Sequence, residues 1–310
     1  MLAWLKALFA RLFGAGPSPK LGDDRPGPTP PPPVGMQQVI GVNGTYPQPG
    51  DGPANFTLGM VESFAGTTPA YGAPRCQGET LPINEYQALM SVVGMNFGGD
   101  ERDVGLPDLR GRVPIGGNPP GGFGQGTLTM TWLIATNSGA DAPVLGMIVP
   151  FGGNSAPSGW AICDGTVMPI SANVALFEAI GTAFGGNPQV YFALPNLTNA
   201  APIGAGGNIA LGNQVPGPIA GLGLNYLICT SGPVAPAGGN GSLPASGAYV
   251  GQVIAFAGAQ IPAGWSLCDG SLIATQANPE LFQLIGYTYG GDRRSTFALP
   301  DLRGKMLPGT

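Results

Sequence analysis

The fold is decided by a stretch near the end of the chain, which opens with Ile261-Pro262-Ala263-Gly264-Trp265 and continues through Cys268-Asp269-Gly270. It then contains Leu281-Phe282-Gln283-Leu284-Ile285-Gly286, Gly290-Gly291-Asp292 and, as its close, Phe297-Ala298-Leu299-Pro300-Asp301-Leu302-Arg303-Gly304-Lys305. The cysteines at 76, 163 and 268 are separated by 87 and then 105 residues, and the glycine pairs beginning at 98, 185 and 290 repeat both intervals. Self-similarity at fixed offsets marks a repeat architecture, so the chain contains three copies of one unit.

The two earlier copies keep the order of these landmarks. Unit 2 contains Gly159-Trp160, Cys163-Asp164-Gly165, a Leu-Phe-x-x-Ile-Gly run from Leu176 and the Leu-Pro-x-Leu motif from Leu194. Unit 1 is more divergent, because Ala73 stands at the tryptophan position and Cys76-Gln77-Gly78 replaces Cys-Asp-Gly.

This run of motifs resembles the phage tail-collar repeat, which occurs in tail fibres and in bacterial microcystin-dependent proteins. The resemblance covers about Leu58 to Met306. Unit 2 departs from it at the end of the motif, where Asn196-Leu197-Thr198-Asn199 replaces Asp-Leu-Arg-Gly. The resemblance implies a structural or adhesive appendage protein and no established enzyme.

Composition agrees with a loop-rich, mainly β body. Of 310 residues, 54 are glycine and 34 are proline, and only 9% are charged. The net charge of −5 offers no cationic footprint for nucleic acid. Without histidine, the chain cannot use imidazole to activate a nucleophile or to bind a metal. Because units of this size bury only small cores, we expect them to stack on one another or on neighbouring chains.

We therefore predict a mainly β (α+β) fold of three tandem tail-collar-like units, each with one short helix. The helices are expected at Tyr86–Val93, Ala175–Ile180 and Pro279–Ile285, each followed by a glycine. The predicted segments are an amphipathic helix (1–13), a proline-rich linker (14–35), an orphan strand with its loop (36–57), unit 1 (58–143), unit 2 (144–236), a Gly/Pro linker (237–249) and unit 3 (250–310).

Residues 1–13 combine helix-forming residues with a nearly continuous apolar surface and two cations, Lys6 and Arg11. Thirteen helical residues span about 20 Å, which is too short to cross a bilayer. Three interpretations remain open: a helix on a membrane surface, a hook into a neighbouring subunit, and a cleaved leader.

The repeated positions are predicted to be structural, and no catalytic, cofactor or metal residue is assigned. Cys76, Cys163 and Cys268 are expected as small buried residues, with a Cys163–Cys229 disulfide as the alternative. Trp160 and Trp265 are expected in the core, with sugar stacking as the alternative. Asp301 and Arg303 are expected to form a local ion pair, as are Asp108 and Arg110. A hard-cation site or a catalytic carboxylate is the alternative for the aspartates.

Units 1 and 2 each end in an apolar strand, whereas unit 3 ends without one. The orphan strand Gln38, Val39, Ile40, Gly41, Val42, Asn43 resembles the missing piece, so the chain looks circularly permuted. Because open strand edges are rarely left unpaired, we expect this strand to complete unit 3 of the next molecule and to propagate a filament. In the rival arrangement the strand folds back onto unit 3 of its own chain.

The sequence thus predicts a homopolymeric structural subunit of an extracellular appendage, either a phage-like tail fibre or a bacterial surface filament. The alternative is a tip protein or adhesin that binds a cell-surface receptor or a glycan without polymerising. Nucleic acid is not an expected partner, while a membrane surface remains one through residues 1–13.

Overall fold

A computed structural model of the chain describes residues 36–40, 58–65, 74–117, 120–124, 126–136, 144–229, 231 and 248–309. Val34–Thr310 forms one compact body. The predicted helix over 1–13, the linker 14–35 and the last part of the predicted donor strand (Gly41, Val42 and Asn43) lie outside the described residues.

The described elements are short strands with one α-helix in each unit, so the fold is mainly β as predicted. Ahead of unit 1 lies β1 (Gln37–Ile40). The elements of unit 1 are β2 (Val61–Phe64), β3 (Thr80–Pro82), α1 (Gln87–Val93), β4 (Asp103–Gly105), β5 (Val113–Gly116), β6 (Phe123–Gly124) and β7 (Thr127–Ala135). Those of unit 2 are β8 (Met147–Phe151), β9 (Trp160–Ile162), β10 (Val167–Pro169), a 3-10 turn (Ile170–Ala172), α2 (Val174–Ile180), β11 (Gly186–Asn187), β12 (Tyr191–Ala193), β13 (Ala200–Gly204), β14 (Gln214–Val215) and β15 (Ala220–Cys229). Those of unit 3 are β16 (Gln252–Phe256), β17 (Trp265–Leu267), β18 (Leu272–Ala274), α3 (Pro279–Ile285) and β19 (Thr296–Ala298).

The three helices follow one sequence rule. Each buries two apolar side chains four residues apart, which lie on one face of the helix; these are Leu89 and Val93, Leu176 and Ile180, and Leu281 and Ile285. Each helix ends at the glycine that the sequence predicts, and the predicted helix positions are confirmed to within one residue.

The opening strands β2, β8 and β16 form a closed triangle, which we call the inner triangle. The start of each strand pairs antiparallel with the end of another, giving the pairs Phe64–Gln252, Phe256–Met147 and Met60–Phe151. Three equivalent backbone hydrogen bonds of 2.9, 3.0 and 2.9 Å run from the N–H groups of Gly152, Ala257 and Ala65 to the carbonyls of Gly59, Gly146 and Gly251. The three units are therefore related by a pseudo-threefold axis within one chain.

A second ring of backbone contacts surrounds the same axis. The N–H groups of Asn199, Gly304 and Gly111 donate to the carbonyls of Gly116, Gly204 and Gly309 over 2.8, 2.8 and 2.9 Å. A Cβ atom at the three accepting glycines would lie 1.9, 1.8 and 2.5 Å from the carbonyl oxygens of Leu197, Leu302 and Leu109. Only glycine lets the backbones of neighbouring units approach this closely.

Two long strands connect consecutive units, because each strand pairs with one unit along its first half and with the next unit along its second half. The first half of β7 runs parallel to β5 of unit 1, and its second half runs antiparallel to β8 and β9 of unit 2. Strand β15 joins unit 2 to unit 3 in the same way, through β13, β16 and β17. The N–H groups of Cys163 and Cys268 mark this repeated step, because they donate to the carbonyls of Trp132 and Tyr226 over 2.8 Å in both cases.

Strand β1 performs the same step between unit 3 and unit 1 of its own chain, and nothing in the structure supports the intermolecular donor-strand prediction. Met36 pairs in parallel with Gly309 of unit 3, just as Met130 pairs with Gly116 and Leu224 with Gly204. Gln37–Ile40 then pairs with β2, and the Cys76 N–H donates to the Gln38 carbonyl over 2.8 Å. Both edges of β1 are thus occupied within its own chain, which leaves no edge for another molecule. In the structure the strand folds back within its own chain, as in the rival arrangement. Only Met36 pairs with unit 3, whereas Gln37–Ile40 pairs with unit 1.

The core follows this architecture. One cluster of buried side chains lies inside unit 1 and includes Leu89 and Leu109. A second joins units 2 and 3. The third lies against the inner triangle and includes Phe151, Phe256 and both motif tryptophans. The units therefore share apolar cores as well as backbone hydrogen bonds.

Deleting residues 36–40 should lower the free energy of unfolding by at least about 3 kcal/mol, because it removes the buried Met36 and Val39 together with the strand that pairs with β2 along its whole length. Thermal melting monitored by circular dichroism measures the effect. Deleting residues 1–33, which lie outside the compact body, is the control and should leave the melting temperature unchanged. Equal melting of the two deletion variants would contradict closure of the ring by β1.

Candidate functional site

The motif cysteines are buried thiols. Cys76, Cys163 and Cys268 are each 3% exposed, and all four cysteines of the chain are free. The expectation of small buried cysteines is met, and the alternative Cys163–Cys229 disulfide is not formed, since the two residues belong to different core clusters. Burial raises the pKa of all four thiols, that of Cys229 to about 11. Thiols held in the protonated form are poor nucleophiles and poor metal ligands.

The motif tryptophans are also inside the protein. Trp160 and Trp265 are only 6% and 9% exposed, and they pair with Ala135 and Cys229 at the ends of β7 and β15. Rings this deeply buried present no open face for a sugar. That they carry stability and no ligand-binding role stays a prediction, which the first experiment below tests.

The motif aspartates organise their own turns. Asp164 accepts hydrogen bonds from the Thr166 N–H (2.9 Å) and hydroxyl (2.6 Å), and Asp269 does the same for Ser271. Gly165 and Gly270 follow with φ of 83° and 78°, a left-handed conformation that favours glycine. These carboxylates are therefore turn-forming groups.

The predicted ion pairs at the end of the motif are present in units 1 and 3. Asp108 contacts Arg110 Nε at 2.9 Å and Arg112 Nη1 at 2.8 Å, while Asp301 contacts Arg303 Nη2 at 2.8 Å. Hydrogen bonds from the neighbouring arginines hold the pKa of both carboxyls below their usual range. Unit 2 keeps the turn without charge, since Asn196 accepts from the Thr198 N–H over 3.0 Å. The aspartate–arginine pair therefore stabilises the turn locally.

Neither a metal nor a catalytic constellation emerges from these positions. Within the described ranges, no three Asp, Glu or Cys side chains lie close enough together to hold a metal ion. Asp292 follows the glycine pair of unit 3. Its Oδ1 accepts hydrogen bonds from the backbone N–H groups of Arg294, Ser295 and Thr296, and these bonds lower its pKa.

A cavity lies on the pseudo-threefold axis, between the inner triangle and the segments that follow the Leu-Pro-x-Leu motifs. We call it the axial cavity. Its walls repeat by symmetry, because equivalent residues of the three units occupy equivalent places: Gln38, Trp132 and Tyr226 on one level, and Pro114, Pro202 and Leu307 on another. This cavity could not be predicted from the sequence, because it exists only when the ring closes.

Unit 1 places a carboxyl where the other units have aliphatic side chains. Glu62 on β2 is only 4% exposed, and it is equivalent to Val149 and Ile254 on β8 and β16. Its Oε2 contacts no hydrogen-bond partner. Burial raises the pKa of Glu62 to about 8, and burial together with nearby Glu62 raises that of Tyr249 to about 12. An alignment of the opening strands of the three units reveals this exception in the sequence.

Unit 2 carries an exposed apolar surface, which we call the unit 2 outer face. Val167 and Pro169 on β10 share this face with Tyr191 on β12, and Val167 and Tyr191 are 57% and 43% exposed. Unit 3 has Ala274 and Thr296 at the equivalents of Pro169 and Tyr191. Unit 2 also has the fewest charges, with Asp164 and Glu178 alone between residues 144 and 236.

Fold and motif together define a structural repeat protein, in which the repeated residues build turns, strand contacts and core. The chain belongs to the Phage Tail Collar Domain family, whose model matches residues 59–114, 146–202 and 251–307, more than half of the chain. The predicted resemblance and its three copies are thereby confirmed. The family is a structural one, which places the protein broadly among phage-tail or surface-appendage proteins outside the cell.

One curated relative shows a partial likeness. Protein RhiB of Rhizobium leguminosarum bv. viciae is 44% identical over 50 residues, which make up 15% of this chain and 22% of RhiB. The likeness thus covers less than a quarter of that protein's length. No solved structure matches the chain. None of the helices in the described part has the length and apolar character that a membrane crossing requires.

Replacing Trp265 with alanine should lower the free energy of unfolding by roughly 3–5 kcal/mol, because it empties a large site in the core against the inner triangle. Trp160→Ala is the matched control in unit 2 and should cost a similar amount. The measurement is chemical denaturation. A Trp265→Ala protein that melts normally but no longer binds cells or sugars would show that the residue belongs to a ligand site.

The buried Glu62 predicts a pH-dependent stability. Its pKa rises from the ordinary value of 4.5 to about 8 on folding, so the folded state favours the neutral acid. The resulting stabilisation is complete below about pH 4.5 and is lost as pH rises to about 8. Between pH 5 and 8 the wild type should lose stability relative to Glu62→Gln by at most about 1.4 kcal/mol per pH unit. Urea titrations of both proteins at several pH values test this, and parallel pH profiles would refute it.

Proposed function

We propose that the protein is a structural subunit of an extracellular appendage, either a phage-like tail fibre or a bacterial surface filament. The observation that carries this proposal is the threefold match to the tail collar family over a chain that folds as a closed ring. The described motif residues all act in turns, strand contacts and core, as expected of a subunit that serves by its shape.

Assembly with further copies uses side-chain surfaces and not strand donation, since β1 has both edges occupied in its own chain. Residues 1–13 are the proposed contact outside the compact body, either as a hook into a neighbouring subunit or as a helix on a membrane surface. Their apolar composition favours burial against a partner over exposure to water.

Negative-stain microscopy and sedimentation of the full chain and of a variant lacking residues 1–13 test the proposal. We expect the full chain to form filaments or other homo-oligomers and the shortened chain to remain dispersed. Full-length protein that stays as compact single particles, in the presence and absence of lipid vesicles, would overturn the structural-subunit function.

A second function, binding of a receptor or glycan, is favoured by the unit 2 outer face. An exposed tyrosine flanked by apolar side chains, on a unit with no cation, suits an uncharged ring-shaped ligand such as a neutral sugar. On this proposal, the specific contact is made by a face at which unit 2 differs from unit 3.

Replacing Tyr191 with alanine should weaken binding to such a ligand by about tenfold, which corresponds to the worth of one aromatic contact. Thr296→Ala, at the equivalent position of unit 3, is the matched control and should bind as the wild type does. A glycan array followed by titration of any ligand found provides the measurement. Identical binding by both variants would remove the unit 2 outer face from consideration.

A further inference from the structure

On the level of the axial cavity formed by Gln38, Trp132 and Tyr226, two polar atoms have no hydrogen-bond partner in the protein. The indole Nε1 of Trp132 is a buried donor with no acceptor, and Oε1 of Gln38 is a buried acceptor with no donor. The two side chains are only 6% and 4% exposed, and they stand at equivalent positions on β7 and β1. Buried polar groups of this kind normally have a partner, in the protein or in a bound molecule.

The third residue of this level, Tyr226, does have a hydrogen-bond partner in the protein. The Tyr226 hydroxyl donates to the Pro202 carbonyl over 3.1 Å, within the wall of the cavity. The amide nitrogen of Gln38 lies 3.5 Å from the Ser63 hydroxyl, which leaves only its carbonyl oxygen unpartnered. The unfilled hydrogen-bonding capacity is therefore one donor and one acceptor facing a common space.

One carboxyl residue, Glu62, contributes to the cavity wall, but the pairing of β1 with β2 turns its side chain away from the face that carries Gln38. Side chains alternate between the two faces of a strand, so Gln38 and Ser63 share one face of the β1–β2 pair, and Glu62 lies with Val39 on the other. The remaining walls are mostly aliphatic and proline side chains. The polar side chains on the Gln38 face of the cavity therefore carry no formal charge.

The space exceeds what one water needs. The space that the centre of a water molecule can occupy measures about 30 Å³. Holding one water takes about 10–15 Å³ on the same measure, and cavities with polar walls hold water whereas purely apolar ones stay dry. Water or a small organic molecule would fit.

We propose that the axial cavity is a binding site for a small uncharged ligand that accepts a hydrogen bond from Trp132 Nε1 and donates one to Gln38 Oε1. Water is the smallest ligand with this chemistry, and a primary amide or an alcohol is the organic form. The ligand bridges unit 1 to the strand that enters unit 2, and so it couples side chains that have no direct hydrogen bond in the protein. The site does not depend on the proposed function in an appendage.

A high-resolution crystal structure of the full chain, grown with and without acetamide as the probe, tests the site directly. Density for water within hydrogen-bond distance of both atoms supports the proposal with water as the ligand. Acetamide in the same place supports it for small amides as well. A dry cavity under both conditions overturns it.

A double-mutant cycle gives the energetic test. Trp132→Phe removes the donor and Gln38→Met removes the acceptor, while both replacements keep much of the side-chain volume. If one ligand bridges the two groups, the unfolding equilibrium constant of the double variant should differ by about fivefold or more from the value expected for independent changes. Trp160→Phe, which removes a buried indole donor outside the cavity, is paired with Gln38→Met as the control cycle and should be additive. Additive behaviour in both cycles counts against a bridging ligand, and if a variant fails to fold the wild-type crystal structure decides alone.

Discussion

Unpaired backbone groups at strand edges are the constraint on which this structure depends. Each opening strand of the inner triangle is too short and too deeply buried to leave its N–H and C=O groups unmatched. The opening strand of each unit therefore pairs with a strand that precedes it in the sequence, and for unit 1 that strand is β1. Because β1 also contacts the end of unit 3 through Met36 and Gly309, the requirement is met only when the ring closes.

Closure determines how the protein can act. A ring that uses its strand edges internally presents side chains, not open edges, to other molecules, so specificity resides in the places where the three units differ. In unit 1 the clearest difference is the buried carboxyl of Glu62. In unit 2 the differences are the uncharged turn at Asn196 and the exposed Tyr191 of the outer face. Around the axial cavity, the equivalent positions hold an amide, an indole and a phenol, in Gln38, Trp132 and Tyr226. The symmetric positions supply rigidity, and the asymmetric ones supply whatever recognition the protein has.

Much of the fold could be predicted from the sequence because it rests on local rules. The Asp-Gly turns, the Asp108–Arg110 and Asp301–Arg303 pairs and the glycine-terminated helices are contacts between residues a few positions apart. Only the apolar ends of β7 and β15 could be predicted as strands, since their first halves contain glycine or threonine in place of a continuous apolar run. Their parallel partners β5 and β13 supply the hydrogen bonds that make those halves strands, and that pairing is not local.

The sequence alone determined that three copies of one unit exist, that one closing strand had moved to the front, and that the motif residues are structural candidates. It left open whether that strand serves its own chain or another, because the same hydrogen bonds satisfy either arrangement. Only the tertiary structure decided this, by bringing Met36 beside Gly309 and Gln38 beside Cys76 in one closed body. The axial cavity, the isolation of Glu62 and the burial of both tryptophans follow from that closure, since each depends on side chains from different units meeting around one axis.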